Sequence, residues 1–129
     1  MTASVIVTSF RRPEALAECL AGIRAQTRPP DEVVVVLHAS DDETRPPDDV
    51  RVVIAERPGL VAALNTGLAA AQGDIVAFID DDAVPTYDWL ERIVATFARD
   101  ERIAGVGGRD IVHNDGRITG REEIGRAHV

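Results

Sequence analysis

At 129 residues and 45% hydrophobic content, the chain has room for one domain with a core of its own. A net charge of -8 removes nucleic acid and anionic membrane surfaces as obvious partners. All 14 basic residues are arginines, which counts against the P-loop lysine, Schiff-base catalysis and phosphoryl-transfer sites that need an ammonium.

The elements follow in chain order. Ala3 to Thr8 reads as a short buried strand, uncharged and rich in β-branched residues. Pro13 can open a helix, on which Leu16, Leu20 and Ile23 share a face with Cys19 nearby. A lone cysteine forms no internal disulfide and points to a reducing compartment. The "TRPPDE" stretch ends that helix, and Val33 to Leu37 is a second apolar strand. After the polar loop "HASDDETRPPDD" comes a shorter strand, Val50 to Ile54. Leu60, Leu64, Leu68 and Ala71 recur at helical spacing before a Gln72-Gly73 stop. Ile75 to Ile79 is the fourth strand, and Leu90, Ile93, Val94 and Phe97 mark a third helix. Ile103 to Val106 is expected to be a fifth strand, with a turn at Asn114-Asp115-Gly116. No basic segment leads into a long apolar run, so neither a signal peptide nor a membrane span is expected.

Strands that are apolar throughout and alternate with helices predict an α/β fold, a mostly parallel sheet with helices on both faces. Ligand-binding loops then gather at the carboxyl ends of the strands. Thr8-Ser9-Phe10 and His38-Ala39-Ser40 lie at such ends, and so does the most unusual stretch, "GDIVAFIDDDAVP". There an apolar strand runs into three consecutive aspartates, Asp80, Asp81 and Asp82. Like charges repel, and burying a carboxylate raises its pKa. A hard divalent cation such as magnesium or manganese resolves the conflict, held by one or two carboxylates plus substrate phosphates. In extended backbone Asp80 and Asp82 would point to one side and Asp81 to the other. A solvated acidic turn opening the next helix accounts for the same spacing.

Two longer blocks resemble a known family. "VIVTSFRRPEALAECLAGIRAQTRPPDEVVVV" and "ERPGLVAALNTGLAAAQGDIVAFIDDDAVPTYDWLERIV" are similar, in order and spacing, to the donor-binding half of the family 2 glycosyltransferases, which have the GT-A fold. The resemblance implies transfer of a sugar, with inversion, from a nucleotide-diphosphate donor to a glycan, lipid-linked or other hydroxyl acceptor in polysaccharide or glycan assembly. It implies a divalent metal, Mn or Mg, ligated by Asp82 with Asp80. It also implies donor contacts from Asp80 and Asp81, a nucleobase bordered by Thr8 and Phe10, and Asn65 fixing its own helix. Trp89 is expected in the core.

Two departures stand out. The family's V-D-D-G-S after the second strand is Val36-Leu37-His38-Ala39-Ser40 here, leaving His38 to meet a base edge. The general base of an inverting reaction is expected beyond this segment, and Glu122-Glu123 is not assigned to it. The final "EIGRAHV" matches one reading frame of a common sequencing adapter. Residues 1–122 are therefore expected to form the nucleotide-sugar-binding part of a GT-A domain, incomplete at its C-terminus, and 123–129 a read-through tail. Such a chain is expected to be inactive alone and cytoplasmic, its parent either free or membrane-associated. Two other readings stay open: a non-catalytic nucleotide-binding fragment, and an Asp-x-Asp phosphatase-like hydrolase, against which Ala83-Val84 and the missing lysines argue.

Overall fold

The computed structural model describes residues 1–107, 109–114 and 117–123, with side chains placed through 107. The chain divides into two compact units, Met1–Glu91 and Arg92–Val129.

The first unit holds four strands and two helices: β1 (Ala3–Ser9), α1 (Pro13–Arg24), β2 (Glu32–His38), β3 (Arg51–Ala55), α2 (Leu60–Ala70) and β4 (Ile75–Asp80). All strand pairs are parallel, in the order β3-β2-β1-β4. The chain thus builds outward from β1 to β3, then returns through α2 to place β4 on the other side of β1. That reversal makes the gap between the ends of β1 and β4 a topological switch point, where open α/β sheets bind ligands.

Side chains alternate between the sheet's faces. On one face Ile6, Val34, Val36 and Ala55 form a buried cluster with Ala63 and Ala70 of α2 packed against it. Close approach there depends on Gly67, where an added Cβ would stand 2.7 Å from Ile6 and 2.9 Å from Val36. The opposite face carries Val5, Val7 and Val35, all fully buried, while α1 buries Leu16, Cys19, Leu20 and Ile23. At the amino ends, Ser4 Oγ donates to Glu32 at 2.6 Å and accepts from Gly73 N–H at 2.8 Å, tying β1, β2 and the turn before β4 together. Glu32 is held below the ordinary carboxylate range chiefly by that serine.

Helix α3 (Trp89–Arg99) runs across the boundary between the units. Its fully buried residue is Leu90, whose N–H donates to Gln26 Oε1, whereas Trp89 is only half-buried. The expected fifth strand at Ile103–Val106 does not form, apart from a single bridge at Gly105. Asp100 caps a turn there, accepting from Arg102 N–H while its carbonyl accepts from Ile103 N–H. The next strands are β5 (Arg109–Asn114) and β6 (Arg117–Glu123), an antiparallel pair flanking the expected turn, whose Asp115 and Gly116 lie outside the described residues. Of the expected tail, Glu123 ends β6 and the remainder lies outside the described residues.

Candidate functional site

Register decides which side chains meet at the switch point. Thr8 pairs with Asp80 across β1 and β4, so Ser9 and Asp81 are the next pair outward. Ser9 Oγ donates to Asp81 Oδ2 at 2.8 Å, and both residues are buried. Asp80 and Asp82 are exposed and Asp81 buried, but the strand ends at Asp80, so the extended-backbone alternation expected of the triplet does not carry through to Asp82. Beyond Asp80 the backbone leaves the strand, with Ala83 N–H donating to the Asp80 carbonyl. The turn swings Asp82 alongside Asp81, and Arg12 Nη1 stands 3.4 Å from Asp81 Oδ1 and 3.4 Å from Asp82 Oδ2.

Behind the triplet, Cys19 Sγ approaches the Asp80 carbonyl at 3.5 Å. Burial first, then the charges of Asp81, Asp82 and Asp80, push its thiol up to about 12. It stays a thiol.

The end of β2 forms the facing wall. Ser40 N–H donates to His38 Nδ1 at 3.1 Å, with Ser40 Oγ at 2.7 Å from the same nitrogen. Because Nδ1 accepts from a backbone N–H, the neutral ring carries its proton on Nε2. That Nε2 is buried without a hydrogen-bond partner among the described residues. Phe10 meets the His38 ring edge-on, centroids 6.3 Å apart, and is itself 48% exposed.

A clamp between loops fixes Phe10. Arg11 takes a left-handed backbone conformation, φ 52, uncommon outside glycine. Its N–H donates to Asp41 Oδ2 at 2.9 Å, its guanidinium donates to the Ser40 carbonyl, and its Cζ lies 5.3 Å from the Phe10 centroid. Burial alone would raise the Asp41 carboxyl. Hydrogen bonds from Arg11 N–H, the Thr44 hydroxyl and N–H, and Glu43 N–H outweigh it and hold the group at about 2.

These walls and the start of α2 enclose a cleft of about 720 Å³. Thr8, Phe10, His38, Asp80, Asp81 and Asp82 all line it, so the structure brings the sequence-predicted residues together. Asn65 is not among them. It is exposed on α2 beside a second concavity shared with Ile54 and Val61, so it does not fix its helix from within. Ser9, Arg12, Arg57 and Gly59 also line the cleft, and sequence reading gave them no role. Only strand register reveals Ser9 and Arg12 as partners of the aspartates. Gly59 carries the one readable signal: as N-cap of α2 at φ 99 it adopts a backbone that favours glycine.

Among the described residues no three His, Cys, Asp or Glu side chains converge as a ready metal cage. The donor set fits a magnesium- or manganese-like ion in the sparser mode, in which one or two carboxylates share the ion with phosphates. Asp80 and Asp82 carry the more exposed carboxylates, Asp82 sharing Arg12 with Asp81, while Asp81 is engaged by Ser9. Among the described residues no helix is long and apolar enough to cross a membrane.

The profile of "Glycosyl transferase family 2" matches residues 4–126. A glucosyl-dolichyl phosphate glucuronosyltransferase of Haloferax volcanii is 34% identical over 118 residues, 84% of this chain and 38% of the relative. An uncharacterized glycosyltransferase of Bacillus subtilis, YwdF, is 31% identical over 129 residues, 95% of this chain and 45% of the relative. Among solved structures, a Pyrobaculum calidifontis mannosyltransferase in complex with GDP-Man and Mn2+ superimposes with TM-score 0.66 at 34% identity, covering 83% of this chain and 34% of its own. The Mycobacterium tuberculosis glucosyl-3-phosphoglycerate synthase in complex with Mn2+, UDP and phosphoglyceric acid gives TM-score 0.66 at 29% identity, covering 79% and 40%. This chain thus spans less than half the length of each, and the expected GT-A fold stands. With the profile running through nearly all of it, the chain belongs to glycosyltransferase family 2.

Proposed function

We propose that the protein containing this chain transfers a sugar from a nucleoside-diphosphate donor to a hydroxyl acceptor, with inversion and with a divalent metal. The observation that carries this reading is the placement of three carboxylates at the switch point, in one cleft with Phe10 and His38. Support comes from the mannosyltransferase and synthase structures, whose descriptions name GDP-Man or UDP together with Mn2+.

Phe10 and Thr8 border the base. His38 lines the same cleft, and its buried Nε2–H would meet a base carbonyl, in place of the acceptor that a carboxylate would supply, only once the cleft wall gives way around it. Asp80 and Asp82 would hold the metal, which would supply Lewis-acid stabilisation of a nucleoside-diphosphate leaving group. Asp81 reaches a ribose only by giving up Ser9 or Arg12. The general base is assigned to no residue of this chain, and the isolated chain is proposed to bind donor without turning it over.

Isothermal titration of GDP and UDP with and without Mn2+ tests the reading. Nucleotide binding should require the metal, and Asp82→Asn should weaken it at least tenfold while leaving the thermal melt in place. Equal binding in chelator, or an unaltered isotherm for the variant, would overturn it. Release of phosphate from a generic phosphate ester would favour the hydrolase instead.

A further inference from the structure

Two successive arginines leave the end of β1 in opposite directions. The left-handed turn at Arg11 sends its guanidinium to the β2 loop, where it meets Ser40, Asp42 and Glu43. Arg12 precedes Pro13, which disfavours helical backbone at that position, and it sits at φ -132, ψ 61 with no capping bond from its side chain. Its guanidinium therefore serves neither its helix nor the β2 loop. It lies against the aspartates.

The geometry there is a shared contact. One nitrogen, Nη1, stands 3.4 Å from each of two carboxylates. Charge-assisted pairs of full strength close to about 2.7–2.9 Å, so neither contact is optimised. Asp81 has its other oxygen on Ser9 and its side chain is 9% exposed, whereas Asp82 is 62% exposed and Arg12 57%. The inner half of the bridge is anchored, and the outer half, on Asp82, is the one that solvent or a competing cation can reach.

From this, and resting on the proposed metal-dependent site, we infer that Arg12 is a resident counter-cation that competes with the divalent ion for Asp82 and couples ion binding to nucleotide binding. Without ligand, Arg12 offsets the repulsion between Asp81 and Asp82, so an ion arriving alone must displace it and binds weakly. Once displaced from Asp82, Arg12 remains tethered to Asp81 at the cleft wall, and its charge serves the donor's diphosphate. Ion and nucleotide then favour each other's binding, and linkage makes the effect reciprocal.

Calorimetric titration of Mn2+ into the chain, alone and with saturating GDP or UDP, reads this coupling. Exposed ion pairs shift an equilibrium by about 1.5- to 5-fold. Arg12→Gln should therefore tighten binding of Mn2+ alone by a factor in that range, while weakening Mn2+-dependent nucleotide binding several-fold. Arg12→Lys keeps the charge and should leave the affinity for Mn2+ alone near wild type. Arg57→Gln removes the same charge from the same cleft without touching an aspartate, and should also leave that affinity unchanged. Unaltered or weaker Mn2+ binding in Arg12→Gln overturns the inference, as does equal tightening in Arg57→Gln or Arg12→Lys. If the wild type shows Mn2+-linked nucleotide binding and Arg12→Gln leaves the ion's affinity unchanged, the site stands and only Arg12's part falls. If the wild type shows no such linkage, both fall together.

Discussion

Cys19 shows how far the acidic cluster's field extends into the molecule. Its thiol is fully buried on α1, yet the aspartates at the end of β4 and just past it add to the burial that raises it from 9.0 to about 12. The folded state therefore keeps this proton where the unfolded chain loses it. The stabilisation is fully present below pH 9 and is lost as pH climbs through 9 toward 12. Each pH unit in that window costs up to about 1.4 kcal/mol. Urea unfolding across the window should show that slope in the wild type and a flatter one in Cys19→Ala, which has no proton to lose. Equal slopes would mean that the thiol is not shielded as the structure has it. Iodoacetamide should likewise spare the folded protein at mildly alkaline pH, because the thiolate is the nucleophile.

At the scale of elements, the seam between α2 and the sheet is the most exacting contact in the first unit. Gly67 faces Ile6 and Val36, each 1% exposed and β-branched, so neither can rotate aside cheaply. Gly67→Ala gains about 1 kcal/mol of helix propensity but overpacks the seam, at a cost of about 1–3 kcal/mol. The steric term wins, and the urea midpoint should fall; a rise would mean that α2 packs less closely than described. The same close packing explains what the sequence could convey. β1 and β2 read as uninterrupted apolar runs because they lie inside the sheet and are buried along most of their length, whereas β4, an edge strand, leaves Phe78 46% exposed. β3 read less clearly because it is an edge, with Val52 and Ile54 41% and 50% exposed. Ile103–Val106 misled because four apolar residues suggest a strand only where a neighbour pairs with them. In the site, the aspartate triplet was legible as a conflict of charges. Its resolution by Ser9 and Arg12 was not, since that depends on the register of β1 against β4, two strands far apart in sequence.

Over the whole molecule, net charge and apolar surface pull in opposite directions. Ile54 on the edge strand β3 and Val61 on α2, 50% and 72% exposed, line one concavity beside a row of backbone groups unpaired among the described residues. Such an edge invites pairing with another chain, while a charge of -8 keeps copies apart. Repulsion between exposed charges is screened over about 10 Å at 0.1 M salt, whereas contact between apolar surfaces is not. Added salt should therefore drive association rather than dissolve it. In sedimentation velocity the wild-type chain should shift to larger species as sodium chloride rises. Ile54→Glu with Val61→Glu should stay monomeric throughout, because the substitutions charge the edge and remove the patch together. Both positions are exposed, so the pair should alter stability by no more than about 0.5 kcal/mol each. That leaves the melting temperature nearly constant and separates a change in surface from a change in fold. Association that weakens with salt would assign the contact to charged groups and exonerate this edge.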